Sequence, residues 1–336
     1  MRSLSRSGIT VDELRVLIVC HNIAAAEIRP QLTDCEGVRF ELLEYHDGLR
    51  SPAGPRAFAL DATRSEYFSF LDSDDFFEDG ALDRWRSAAD RGRLDAVIPR
   101  ERHASGRRIL TPPTRLFRSA RLDATRDRLL YRTAPLGLLR RESAIRAGVR
   151  FGDDVTNGSD QIFGLTMWFG SQRVLYDRRG PAYVVGDDAQ SRVTRTTKPL
   201  AVELKASVDI LNGDWFASRS LAEKQLIATK FVRIHLFDGV TSRLRGDEWT
   251  AADLEAASRF IALAARAAPG HERSLGRAES RLCGGLQRPE MSSEALRLLV
   301  SDRRRFVSAA ALLTPRWRDL LRRDAPCRYS VASFFA

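Results

Sequence analysis

Two regimes of hydrophobic patterning divide the chain. Up to about residue 199, short apolar runs alternate with stretches of helical spacing; beyond it, helical spacing prevails. Arg15–Cys20 (Arg-Val-Leu-Ile-Val-Cys) is continuous and β-branched, the pattern of a strand buried on both faces. His21-Asn22 ends it, and Ala24–Leu32 is expected to be helical despite Pro30. Val38–Tyr45 predicts a second strand closed by the turn signal Asp47-Gly48. A loop over 51–55, a helix over 56–63, a third strand over Tyr67–Leu71, a helix over 80–91 and a fourth strand over Asp95–Pro99 follow. Such alternation predicts an α/β, mostly parallel, doubly wound sheet with flanking helices.

The pattern is less regular from 100 to 135, read as loops and amphipathic pieces around Thr111-Pro112-Pro113. A short helix is expected over 142–147, a polar loop over 151–159, an apolar helix over Asp160–Phe169, and strands over 173–176 and 182–185. Helical periodicity then marks 200–213, 220–238, 251–267, 290–300 and 302–322. The expected organisation is a polar lead-in at 1–13, an α/β domain at 14–199, and an all-α C-terminal domain at 200–336 ending in a basic tail.

Composition narrows the field. The chain has 336 residues, enough for one or two domains, with charged residues at 29% and apolar ones at 43%. No run approaches the ~20 apolar residues of a membrane span. Val16–Cys20 is too short for a signal-peptide core, so a cytoplasmic chain is expected. Cys20, Cys35, Cys283 and Cys327 are scattered, which argues against a zinc site or a disulfide framework. The net charge of +10 is uneven: residues 281–336 hold 11 basic against 5 acidic side chains, whereas 201–280 balance at 11 each. A basic tail suits a polyanionic partner or an anionic membrane surface, or is a solvated helical face.

Residues 63–85 bear most on chemistry. The apolar run from Tyr67 to Leu71 stops at three carboxylates, Asp72, Asp74 and Asp75. Clustered carboxylates repel one another and are costly to desolvate, so a divalent cation among them is one explanation. Oxygen-only ligands suit Mg²⁺ or Mn²⁺, which keeps positions open for phosphates. Alternatively Asp-Ser-Asp-Asp is a turn and helix cap. The strand ends would bring Asn22, Asp47 and the Asp72 cluster to one crevice, where open α/β sheets bind ligands. A second acidic locus, Asp153, Asp154 and Asp160, lies downstream. Asp160 begins the apolar helix, as a general base or merely as its cap.

Phe70-Leu71-Asp72-Ser73-Asp74-Asp75 resembles the Phe-Leu-Asp-Ser-Asp-Asp motif of glycosyltransferase family 2, the inverting group with the GT-A fold. Arg56 stands where that family has the Arg of Ala-Arg-Asn-x-Gly, and Ser65-Glu66-Tyr67 resembles its Gly-Glu-Tyr. Val16–Asn22 is similar to its first strand, and Asp47-Gly48 to the end of Val-Asp-Asp-Gly-Ser. Downstream, Leu136–Glu142, Gly148–Phe151, Gly158–Phe163 and Gly180-Pro-Ala-Tyr183 with Ser191 resemble the acceptor-side and closing segments. The resemblance covers roughly residues 14–197 and implies a GT-A (Rossmann-like) domain followed by an all-α region.

What the resemblance implies is specific. Asp72 and Asp74 would bind the metal, Mn²⁺ or Mg²⁺, with Asp74 the direct ligand. Asn22, Asp47 and Arg56 would lie near a nucleotide-diphosphate sugar, and Asp160 would deprotonate the acceptor hydroxyl. Arg192 or Arg195, chosen for charge and position alone, would stabilise the leaving diphosphate. The acceptor would be a cell-surface glycan or its lipid-linked precursor, reached at the inner face of the cell membrane through residues 281–336. Departures concentrate on the donor side: Val19, His21, His46, Ala57 and Ala59 replace motif residues, and Ser159 replaces the Glu of a Glu-Asp pair. A catalytically inactive glycan- or nucleotide-binding module is the alternative they permit. No nucleic-acid, Walker or kinase motif is present, so no nucleic-acid partner is expected.

Overall fold

β1, Arg15–His21, pairs in parallel with β2, Arg39–Tyr45, in a register that sets His21 beside Tyr45. The computed structural model describes residues 1–32, 37–152, 158–186 and 198–335. Contacts separate the chain into two units, Met1–Val193 and Thr194–Phe335.

In the first unit the polar lead-in is docked. Arg2–Ser5 forms a short helix, α1, Leu4 and Ser7 are buried, and the Arg6 and Ser7 carbonyls accept from the Gly80 and Asp83 N–H groups at 2.8 and 3.1 Å. Between β1 and β2 the expected helix is one α turn, α2 (Ala25–Ile28), then a 3₁₀ turn over Arg29–Gln31, because Pro30 removes a helical donor. Helix α3 spans Ala53–Ala62. The third strand, β3, holds only Tyr67–Phe68, and β4 is Phe76–Phe77. Helix α4, Ala81–Gly92, buries Ala81, Leu82, Trp85 and Ala89 along one face. Strand β5 is Ala96–Pro99. The stretch expected to be loop then makes a hairpin of β6 (Glu101–His103) and β7 (Arg108–Ile109). Strand β8 (Leu138–Arg140), α5 (Arg141–Ala147), α6 (Asp160–Gly170), β9 (Val174–Asp177) and β10 (Tyr183–Val185) complete the unit.

These strands form three sheets, β1-β2, β3-β8-β5-β9 and β4-β10-β6-β7. Pairing is mixed rather than mostly parallel: β1–β2, β5–β9 and β6–β10 run parallel, and the short strands β3, β4, β7 and β8 join antiparallel. A short turn closes the β6–β7 hairpin, whereas β3–β8, β5–β8 and β4–β10 join strands distant in sequence, so their direction is set by how the chain returns to the sheet. Phe70 packs against both hydrophobic clusters of the unit, one around Trp168 and Phe163, the other around Trp85 and Tyr183. Its ring meets Phe68, Phe151 and Phe163 edge-on. The run that looked like three more strand residues is therefore a core plug that aims the acidic loop outward.

The second unit is helical: α7 (Leu200–Asn212), α8 (Asp214–Ala217), α9 (Leu221–Lys230), α10 (Phe237–Arg245), α11 (Ala251–Ala267), α12 (Arg277–Leu286), α13 (Ser293–Arg303), α14 (Ala309–Leu312) and α15 (Pro326–Phe334). A π-turn over Phe231–Leu236 joins α9 to α10. The expected helix over 302–322 is instead α14 and a 3₁₀ turn at Trp317–Asp319, since Pro315 interrupts the ladder between them. The buried pair of Arg233 with Glu279 (2.9 Å) ties the π-turn to α12. Among the described residues no helix is long and apolar enough to cross a membrane.

Candidate active site

The site forms where β1, β2 and the segment after β3 end. Asn22 takes a left-handed backbone (φ 58°), a conformation Asn tolerates better than most residues. Its side-chain oxygen accepts from the Asp47 and Gly48 N–H groups at 3.1 and 3.0 Å, and its amide donates to the Leu49 carbonyl at 2.8 Å. Asn22 thus holds the loop that presents Asp47. Asp47 sits 2.8 Å from His21 Nε2, and the His21 contact, then the Leu49 N–H, keep its carboxyl below the usual range. Gly54 brings α3 in close: a Cβ there would stand 2.7 Å from Asp47 Oδ2. Two residues on, Arg56 emerges from the same helix.

Arg56 is the hub. One of its terminal nitrogens, Nη2, donates to both oxygens of Asp72, at 2.6 and 2.8 Å, while its guanidinium lies 6.0 Å from the centre of the Phe70 ring. Burial opposes the guanidinium charge, but the fields of Asp72, Asp160 and Tyr183 outweigh it and strengthen its hold on the proton. Asp160 is therefore within electrostatic reach of Arg56. It is the first residue of α6; the capping position falls to Ser159. The helix is held by its apolar face and by Trp168 Nε1, which donates to the Arg132 carbonyl at 2.7 Å.

Tyr183, to which the sequence reading attached no role, organises the far side of the acidic loop. Its buried hydroxyl donates to Asp75 Oδ2 at 2.7 Å and accepts the Asp72 N–H at 3.3 Å. Gly186 N–H donates to the other Asp75 oxygen at 2.9 Å, and a Cβ at Gly186 would lie 1.8 Å from the Asp74 carbonyl. Burial raises the Asp75 pKa, with the Tyr183 and Gly186 donors working against it and Asp72 and Asp74 adding to it. The Tyr183 hydroxyl is held far above its ordinary range by burial and then by the two carboxylates. The signal for Tyr183 was present in Gly180-Pro-Ala-Tyr183; its partners more than a hundred residues away were not.

The structure thus places Asn22, Asp47, Asp72, Asp74 and Asp75 on loops beside α3, which carries Arg56, and sets Asp160 within that arginine's field. Arg192, Arg195, Asp153 and Asp154 lie outside the described residues. For a divalent cation, the donors are oxygens only, as a hard ion requires. Among the described residues no three His, Cys, Asp or Glu side chains converge as a ready cage. Both Asp72 oxygens face Arg56. The set therefore fits a cation held by one or two carboxylates, with phosphate and water completing its shell, rather than an all-protein site.

Residues 27–148 match the model of the family described as Glycosyl transferase family 2, and the first unit is a family 2 glycosyltransferase domain of the GT-A fold. Among solved structures, the chain is similar to Staphylococcus aureus TarS 1-349 in complex with UDP-GlcNAc (TM-score 0.69, 17% identity, 90% of this chain and 86% of that one). The complex of the same fragment with UDP gives a TM-score of 0.66 at 18% identity, with the same coverage. Among curated proteins, the poly(ribitol-phosphate) beta-N-acetylglucosaminyltransferase TarS of S. aureus is 21% identical over 243 residues, 70% of this chain. A poly(ribitol-phosphate) beta-glucosyltransferase of Bacillus spizizenii is 21% identical over 217 residues, 62% of this chain. The matched segments span 41% and 34% of those two proteins.

Proposed function

We propose that this chain is a glycosyltransferase that moves a sugar from a nucleoside-diphosphate donor to a hydroxyl of an anionic cell-surface polymer, with inversion at the anomeric carbon. The observation that carries the reading is Arg56, which bonds both oxygens of Asp72 and feels the charge of Asp160, joining a diphosphate-side carboxylate to a base-side one. The relatives' names support a UDP-linked sugar and a poly(polyol-phosphate) acceptor. The catalytic domain is assigned to 14–199 and the helical domain to 200–336.

In this reading Asn22 and Asp47 shape the loop that holds the nucleoside. Arg56 orients Asp72 and meets the donor's negative charge as the diphosphate enters. Asp160 accepts the proton of the acceptor hydroxyl as its oxygen attacks the anomeric carbon. The bond from that carbon to the diphosphate oxygen breaks, and the nucleoside diphosphate leaves with the electron pair. Asp74, with Asp72, would hold Mn²⁺ or Mg²⁺, which when bound neutralises charge on the diphosphate. Arg192 is assigned to the leaving group on charge alone.

Contact with the inner face of the membrane through 281–336 also belongs to this reading. Residues 303–335 contain eight arginines and two carboxylates, Asp319 and Asp324, both buried. Phe306, Val307, Trp317, Leu321 and Phe334 stand 67%, 91%, 75%, 82% and 79% exposed on the same stretch. Exposed aromatics among cations suit an anionic interface.

The test is turnover of a panel of UDP-, GDP-, dTDP- and CDP-sugars with Mn²⁺ or Mg²⁺, for the wild type, Asp74→Ala and Asp160→Asn. One donor should be used, and Asp160→Asn should lower kcat about 10²–10⁴-fold with donor binding retained. Donor binding without turnover in the wild type, and no effect of Asp160→Asn, would establish the inactive nucleotide-binding module that His46, Ala57 and Ala59 permit.

A further inference from the structure

The helical unit carries a concave site that the catalytic reading leaves unused. An open cleft of about 450 Å³ lies between the last turns of α10 and α13, with Leu244 and Val300 as its buried floor. Three guanidiniums line it, those of Arg245, Arg297 and Arg304, together with the Ser301 hydroxyl. Arg297 is fixed: its Nε donates to the Leu244 carbonyl at 2.9 Å, and its Nη2 pairs with Asp247, the one carboxylate on the lining. Thr241 lines the cleft too, but its hydroxyl donates to the Phe237 carbonyl. Arg245 and Arg304 spend no guanidinium hydrogen bond on a protein partner among the described residues; Arg304 acts on Asp238 only through its field. The lining is left with an excess of two positive charges and with unused donors.

We propose that this cleft binds the phosphodiester group of an anionic polymer. Planar guanidinium forks match phosphate oxygens in pairs, and Ser301 supplies a neutral donor beside them. A concave wall suits a chain segment, whereas a lipid surface needs large apolar side chains at the rim, and here the apolar residues form a buried floor. The naming of the polymer as the acceptor rests on the proposed function; the chemistry of the cleft does not. Such a site would hold the polymer through successive transfers, raising the local concentration of acceptor hydroxyls.

The full chain, without nucleotide sugar, is titrated with a synthetic poly(ribitol phosphate) oligomer, with inorganic phosphate, and with phosphatidylglycerol–phosphatidylcholine vesicles. The wild type should bind the oligomer with an affinity that falls as salt rises, and phosphate should compete weakly. Arg245→Gln with Arg304→Gln should weaken oligomer binding at least tenfold and flatten its salt dependence, while vesicle binding, which keeps seven of the eight arginines of 303–335, changes far less. Arg259→Gln, on α11 and paired with Glu255, should change nothing. Because both arginines also offset helix C-terminal dipoles, Ser301→Glu is the second probe, adding an anion at an exposed position without removing either. Unchanged oligomer affinity in both variants overturns the proposal, as does a loss confined to Tm. Weakened vesicle binding with the oligomer unaffected would make this a lipid headgroup site instead. Since no donor is present, loss of turnover in Asp160→Asn leaves these outcomes readable.

Discussion

At the scale of single residues, the site is a chain of shared protons and charges, and each link can be cut. Tyr183→Phe keeps the buried ring but removes the oxygen between the Asp72 N–H and Asp75. Asp75, half buried, then loses one of its donors, at a cost of about 1 kcal/mol or somewhat more. The sign with pH follows from the raised Asp75 pKa. A carboxyl raised in the folded state favours folding below its unfolded value and loses that contribution as pH rises through the folded one. The variant's deficit should therefore be larger at pH 7 than at pH 3.5 in denaturant melts; an equal deficit would put Asp75 outside the linkage. Arg56→Lys keeps the charge but loses the planar guanidinium beside Phe70 and the N–H donors left over from the one nitrogen that bonds Asp72, so kcat/KM should fall at least tenfold with Tm nearly unchanged. Asp72, Asp74 and Asp160 were legible in the sequence because carboxylates at a strand end and a helix start are conspicuous. That Arg56 would link Asp72 with Asp160 was not, since a guanidinium's partner depends on how helix α3 is seated.

At the scale of elements, close approaches decide position. Gly164 lies inside α6 and a Cβ there would stand 2.3 Å from the Thr133 carbonyl. Helix propensity alone favours Ala over Gly by roughly 1 kcal/mol. The clash is with backbone and should win, so Gly164→Ala is expected to destabilise by about 1–3 kcal/mol and to lower activity by shifting Asp160. A rise in Tm would show that α6 is free to move. Asp95 fixes the other face of the unit. It accepts from Ser143 Oγ at 2.6 Å and from the Gln172 and Arg173 N–H groups at 2.8 and 2.9 Å, joining α5 to the start of β9. Although burial opposes it, these donors and Arg146 lower its pKa. A lowered carboxyl stabilises above its unfolded value, near 3.9, and that stability is lost as pH falls through the folded value. Asp95→Asn should cost stability at pH 7 and flatten the acid limb below about pH 4, as thermal melts across pH would show. Boundaries of α11 and the long run of β1 were readable from period alone. The hairpin β6–β7 was not, because two- and three-residue strands carry too little pattern to signal pairing.

At the scale of the whole chain, charge distribution matters more than its sum. The exposed side chains of 303–335 include no carboxylate, while Trp317 and Leu321 project among arginines. Trp317→Ala with Leu321→Ser should reduce partition onto anionic vesicles several-fold, and raising salt from 0.1 to 0.5 M should reduce the wild type's partition as well. Equal binding to neutral and anionic vesicles would remove the electrostatic part of that reading. The expected boundary after residue 199 rested on a change of period, and contacts separate Met1–Val193 from Thr194–Phe335.

By itself the sequence determined the α/β-then-α order, the presence of the strand Arg15–His21 though not its burial, since Cys20 alone of that strand is buried, and the acidic loop with its family motif, because periodicity and local chemistry are written in consecutive residues. Tertiary structure alone decided the mixed pairing of the sheets, the docking of α1, the role of Phe70 as a core plug and the meeting of Arg56 with Asp72, Asp160 and Tyr183. The meeting at Arg56 joins residues 16 positions away (Asp72) and 127 positions away (Tyr183), and such contacts have energies only once the chain has closed on itself.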